Sequence, residues 1–158
     1  CTPRRPACSL CPLNDECQAR VEGRQEEFPV KAPKAERPSR VGAAFFLRRK
    51  DGSVLVRTRP DKGLLGGMTE IPGTEWSKDF KLSDALLSAP VDARWKKLPG
   101  HVEHVFTHFA LRLTVFTATT DAKAPKGARF VKDNLLDDEA LPSVMRKVIE
   151  HARSFEEK

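Results

Sequence analysis

Beyond residue 17 the sequence has no cysteine, and before it there are four: Cys1, Cys8, Cys11 and Cys17. The long remainder of the chain must therefore hold its fold without disulfides or thiolate metal sites. Also missing are a secretory signal, a membrane anchor and any apolar run of transmembrane length, which argues against a membrane and against an oxidising compartment. No methionine opens the chain, as expected of a piece of a longer protein. Acidic residues are the minority charge, 22 Asp and Glu against 28 Lys and Arg, and the resulting +6 favours polyanionic partners. At 158 residues and 39% apolar, the chain has room for one core-forming domain and an appendage.

What is present begins with the cysteines. Their spacing is C-x6-C-x2-C-x5-C. Four thiolates this close can converge on one metal centre, as in the all-cysteine ligation of a [4Fe–4S] cluster. Zinc ribbons and fingers bring their ligands as two close pairs separated by about 12–20 residues, and no such gap exists here. Two disulfides are the remaining alternative, in an oxidising compartment for which the sequence offers no support.

From Gln18 to Arg40 apolar periodicity is nearly absent, and Pro29, Pro33 and Pro38 stand among Lys, Arg and Glu. Such a stretch cannot bury a core and predicts an extended connector. A second folded unit begins near Ser39. Val41–Leu47 is a short apolar run, Asp51-Gly52 is a hairpin turn signal and Val54–Arg59 alternates as a returning strand. A Gly-rich loop follows from Gly63 to Gly73, and Leu82–Ser88 predicts a short helix. Two strands are expected between His101 and Thr117, meeting near Thr107. Leu111, Leu113 and Val115 share one face there, with Arg112 and Thr114 on the other. Leu141–Ala152 has helical spacing through Val144, Val148 and Ala152, with Pro142 in the first turn. The mixture is α+β.

Several segments resemble one family in one order. The cysteine spacing is similar to the iron–sulfur loop of the helix-hairpin-helix DNA glycosylases. Gly63-Leu-Leu-Gly-Gly-Met-Thr-Glu-Ile-Pro-Gly73 resembles the W-E-F-P-G segment of Nudix-type domains, in the version found in adenine DNA glycosylases. His104-Val-Phe-Thr-His-Phe109 is similar to the H-x-F-S-H motif of the same domain, Arg24–Arg40 to that family's connector and Ala140–Lys147 to its closing helix. The resemblance implies an iron–sulfur loop over residues 1–17, a connector over 18–38 and a Nudix-like C-terminal domain over 39–158. The implied fold is a Nudix-like mixed β-sheet with flanking helices.

The same resemblance implies the roles. Cys1, Cys8, Cys11 and Cys17 would hold a [4Fe–4S] cluster in the parent protein, expected to be labile in this chain without the preceding catalytic domain. Phe106, Thr107 and His108 would reach the oxidised guanine of an 8-oxoguanine·adenine mispair in duplex DNA, and Arg4 and Arg5 would contact DNA phosphate. The chemistry agrees with the motif: oxidation turns guanine N7 into an N–H donor with a carbonyl beside it, so a hydroxyl that both donates and accepts suits the lesion. Thr107 stands where the family carries Ser, which keeps the hydroxyl and adds a methyl group. The implied partners are lesion-bearing duplex DNA, the N-terminal catalytic domain of the same parent chain and an unidentified repair protein docking on the connector. The implied location is the bacterial cytoplasm, with the nucleoid. The glycosylase carboxylates lie upstream of Cys1 in this reading, so the chain alone is expected to be inactive. Two alternatives remain, a Nudix nucleotide hydrolase and a partner-docking domain. A hydrolase would need the R-E-U-x-E-E helix after Pro72-Gly73, where this sequence offers only Glu75, Asp79 and Asp84, interrupted by Pro90.

Overall fold

The computed structural model describes residues 1–2, 4–30 and 37–155. The chain divides into two compact units, Cys1–Glu36 and Arg37–Lys158. In the first unit a 3-10 turn, Cys8–Leu10, begins at the second cysteine, and a single helical turn, α1 (Gln18–Val21), follows the last. A further 3-10 turn covers Gln25–Glu27, so short helical turns punctuate the predicted connector. Its stretch at 31–36 lies outside the described residues.

The second unit is a mixed sheet built on β1 (Ser39–Arg49) and β2 (Ser53–Thr58). They form the predicted hairpin, antiparallel with Arg48 opposite Val54. Its turn is local chemistry: Gly52 takes φ 81°, and Asp51 Oδ1 accepts hydrogen bonds from the Ser53 N–H at 2.9 Å and the Ser53 hydroxyl. These bonds to the ionised form hold the Asp51 carboxyl below the usual carboxylate range.

Past the turn, β1 and β2 are joined by the Gly-rich motif. β3 (Thr69–Glu70) pairs with β2, while bridges Ala44↔Gly73 and Val41↔Ser77 tie the same segment to β1. The Phe45 N–H donates to the Pro72 carbonyl at 2.8 Å. Gly73 is required here, because a Cβ would stand 2.5 Å from the Ala43 carbonyl oxygen. Glu70 is 3% exposed and receives Arg57 Nε at 2.6 Å and Arg59 Nη1. A buried carboxylate is tolerated when it is paired in this way.

The other side of β1 holds β6 (Ala110–Thr120) in parallel, from Ser39↔Ala110 to Arg49↔Thr120. β4 (Lys96–Lys97) and β5 (Val102–Val105) pair antiparallel with β6, and β7 (Ala128–Lys132) pairs antiparallel with β2. The predicted pair of strands around Thr107 is β5 and β6, and Leu111, Leu113 and Val115 are buried as the alternation requires. β1 is central and buried on both faces. Ala44 and Phe46 join the cluster under α2 (Ser143–Arg153), with Val144, Met145, Val148, Ile149 and Ala152 of that helix. Ala43 and Phe45 face the opposite layer, with Phe116, Trp95 and Ala85. The predicted helix at Leu82–Ser88 is present as a 3-10 helix with Ala85 as its buried residue. Pro142 stands one position before α2, its carbonyl accepting the N–H groups of Met145 and Arg146.

Candidate functional site

The turn between β5 and β6 carries Phe106, Thr107 and His108 and is closed by a 2.8 Å bond from the Phe106 N–H to the Phe109 carbonyl. Thr107 and His108 are exposed, and neither side chain has a hydrogen-bond or ion-pair partner among the described residues. Phe106 is half-buried and packs against the main core cluster. The fold thus presents a hydroxyl and an imidazole to solvent on a turn whose two aromatic residues are anchored.

The anchor is a stack of rings. Phe106 lies 4.7 Å from Phe109 and 5.8 Å from Trp76, near parallel to both, and His104 meets Phe106 edge-on at 4.5 Å. A guanidinium covers each end: Arg59 is 5.2 Å from the Trp76 ring and Arg40 is 4.4 Å from the Phe109 ring. Such contacts stabilise by about 0.5–1 kcal/mol each at exposed sites, and together they orient six side chains at the turn. Gly42 makes room for them, since a Cβ there would sit 2.9 Å from Trp76 Cδ1. In the sequence, nothing links Trp76, Arg40 or Arg59 to this turn. Their convergence depends on which strands are neighbours, and nothing in the order of residues signals it.

His104 is half-buried, and its Nδ1 is enclosed without a partner. Burial, seconded by the Lys147 charge, lowers its pKa from the ordinary 6.5. Because the folded-state pKa is the lower one, the unfolded chain takes the proton first. Stability is therefore expected to fall as pH drops through the ordinary histidine range, levelling below the folded value, and His104→Gln should flatten that part of the profile. Denaturant midpoints of both proteins at pH 7.5 and 5.5 check this; parallel declines would contradict it.

In the first unit all four cysteines are free and line one pocket of about 370 Å³, joined by Arg5, Arg20, Asn14 and Gln25. Cys1 is exposed and the other three are half-buried. Asn14 Oδ1 and Gln25 Oε1 are enclosed acceptors without partners, and both residues line the cavity. No three of the described Cys, His, Asp and Glu residues are grouped to hold a single ion. Four thiols around one cavity, with amide and guanidinium donors beside them, fit a polynuclear cluster in which each thiolate ligates its own iron. Such a cluster, when bound, would cross-link the loop and supply a one-electron redox centre. Arg4 and Arg5 are both exposed but differ in setting: Arg5 lines the pocket from a left-handed backbone (φ 50°), whereas Arg4 is not part of its lining and its carbonyl accepts the Thr2 hydroxyl.

The carboxylates after Pro72-Gly73 have a different setting. Glu75, Asp79 and Asp84 line an open depression with Lys81, Phe80 and Leu87. Glu70 is already occupied by Arg57 and Arg59. No helix among the described residues is long and apolar enough to cross a membrane.

Comparison with known proteins places these features. The NUDIX domain family matches residues 43–151, and the iron-sulfur binding domain of endonuclease III matches residues 1–17. Human adenine DNA glycosylase is 25% identical over 205 aligned positions, covering 94% of this chain and 37% of that protein. The chain thus spans little more than a third of that relative's length. Among solved structures, the C-terminal domain of mouse MUTYH, determined in complex with human PCNA, aligns with a TM-score of 0.62 at 26% identity over 75% of this chain and 90% of that one. The MutT protein of Methanosarcina mazei aligns with a TM-score of 0.63 at 18% identity over 79% of this chain and all of that one, a likeness of fold. The chain belongs to the NUDIX domain family and is a homologue of the adenine DNA glycosylases.

Proposed function

We propose that this chain is the C-terminal, lesion-reading part of an adenine DNA glycosylase, a repair enzyme that removes adenine mispaired with 8-oxoguanine. The observation that carries the reading is the similarity to human adenine DNA glycosylase across 94% of the chain, running through cysteine loop, connector and sheet domain together. The boundaries that follow are an iron–sulfur loop over 1–17, a connector over 18–38 and a recognition domain over 39–158.

Within that domain Thr107 is the lesion contact. Its free hydroxyl donates to the carbonyl added at C8 and accepts from the new N7–H. His108 serves the lesion or an adjacent phosphate. Phe106, whose ring is already stacked on Phe109 and Trp76, holds the turn at a fixed height and offers its remaining edge to the base stack. In the cysteine loop, Arg4 and Arg5, both exposed, are the phosphate contacts, and Arg5, lining the thiol pocket, has the further task of neutralising cluster charge. The glycosidic bond would be broken in the preceding catalytic domain of the parent, on an adenine flipped from the duplex. A protein partner belongs to the proposal as well, since the mouse MUTYH domain was solved with PCNA. The connector is the segment we assign to such docking.

The test is binding of the full chain to two duplexes of one sequence, one with 8-oxoguanine opposite adenine and one with thymine opposite adenine, followed by fluorescence anisotropy. The lesion duplex is expected to bind more tightly. Equal affinities would sink the lesion-reading role.

A further inference from the structure

The parallel pairing of β1 with β6 has a local result at the start of both strands. Ser39 stands opposite Ala110 and Arg40 opposite Leu111, and the Ala110 N–H donates to the Pro38 carbonyl at 3.0 Å. Residues 37–40, which enter the sheet from the connector, therefore run beside the turn that holds Phe106, Thr107 and His108. Arg37 and Arg40 are both exposed, and neither has a carboxylate partner among the described residues. Most other arginines of this domain do. Arg57 and Arg59 hold Glu70, Arg112 holds Glu103, Arg129 holds Glu139, and Arg48 and Arg153 hold Asp133.

Arg40 is also fixed in place. Its guanidinium lies 4.4 Å from the centroid of Phe109, a ring only 6% exposed and itself stacked on Phe106. A free arginine side chain loses considerable rotamer entropy on binding, and one already resting on a buried ring loses less. Beyond the ring contact, the Arg40 side chain donates to no acceptor among the described residues, so the guanidinium keeps its donors for phosphate oxygens.

We propose that Arg37 and Arg40 form a phosphate clamp for duplex DNA at the mouth of the connector, which seats the Thr107 turn on its target. This rests on the lesion-reading function proposed above and adds to it a sequence-independent contact on a different strand. Two consequences distinguish the clamp from the turn. A phosphate contact contributes alike to damaged and undamaged duplexes, and it adds about 0.9 to the slope of log K against log salt. Charge alone does not give the full effect at position 40, because lysine lacks the planar group that stacks on Phe109.

The experiment measures binding of the full chain to the lesion duplex and to the undamaged duplex at four salt concentrations, for wild type, Arg37→Ala, Arg40→Ala, Arg40→Lys and Thr107→Ala. Arg40→Ala is expected to weaken both duplexes by the same factor, about three- to tenfold at low salt, and to reduce the salt slope by about 0.9. Arg37→Ala should follow the same pattern to a smaller extent, and being unstacked it tests the clamp even if loss of Arg40 disturbs the turn. Arg40→Lys should keep the salt slope and still lose affinity. The clamp is overturned if neither alanine variant changes the slope, or if Arg40→Ala lowers affinity for the lesion duplex alone. Failure of the underlying reading looks different: wild type and Thr107→Ala would bind both duplexes equally while the arginine variants still lowered the slope. A wild-type chain that binds neither duplex overturns both.

Discussion

Replacement of Thr107 by alanine is expected to reduce the preference for 8-oxoguanine·adenine over guanine·adenine by about ten- to hundredfold, with little change in affinity for the unoxidised mispair. A good bidentate base contact is worth about 1–3 kcal/mol of discrimination, and Thr107 carries the one exposed hydroxyl of the turn. The fold should be unaffected, since the Thr107 side chain has no partner among the described residues and the turn is held by the Phe106–Phe109 backbone bond and the ring stack. Thr107→Ser should retain the preference, which separates loss of the hydroxyl from loss of the methyl group. The measurement is a pair of dissociation constants of the full chain, for each duplex and each variant. Equal losses on both duplexes for Thr107→Ala would mean that the turn supports binding without reading the lesion.

The second large effect is on stability. Phe46 is fully buried in the cluster shared by β1, β6 and α2, so Phe46→Ala removes a ring that the close-packed surroundings cannot replace. The transfer and cavity contributions together are expected to cost about 3–5 kcal/mol. Against a typical domain stability of about 5–15 kcal/mol, that is a large fraction of the whole. Urea unfolding should show a lower midpoint with an unchanged slope. A loss below about 1 kcal/mol would indicate that the cluster closes over the gap and that the packing assigned to β1 is wrong. The two variants form a complementary pair, one altering recognition on an intact fold, the other altering the fold beneath an intact turn.

How legible each element was depended on how local its cause is. The β1–β2 hairpin follows from Asp51-Gly52 and from apolar runs on either side, all within twenty residues. β6 follows from its own alternation, and α2 from the spacing of Val144, Val148 and Ala152. The long-range pairing of β1 with β6 was not legible: Leu111, Leu113 and Val115 would alternate equally well beside any neighbour. β7 was missed although Gly127, at φ 82°, introduces it, because Ala128–Lys132 is short and carries two basic residues. Glu70 shows the same limit from another side. On the sequence it is one acid near a Nudix-like motif; in the fold it is a carboxylate enclosed by two arginines that join the motif to β2. The Phe106–His108 turn drew its meaning from resemblance, since a Phe-Thr-His triplet between two strands has no chemistry of its own until its exposure is known.

The parallel seam between β1 and β6 also sets an order of assembly. The β1–β2 hairpin closes over a few residues and is inexpensive in chain entropy, whereas β1 meets β6 only after the long intervening segment has been brought round. Arg40 and Phe109 become neighbours through that late event. A folding intermediate would therefore hold the hairpin and lack the proposed duplex-binding surface, and any recognition would appear in the last kinetic phase. Pulsed hydrogen exchange during refolding is expected to protect the hairpin-turn amide of Gly52, which donates to the Arg49 carbonyl at 3.0 Å, before those of Leu111 to Ala118. Simultaneous protection of the two sets would show instead that the domain closes in a single step.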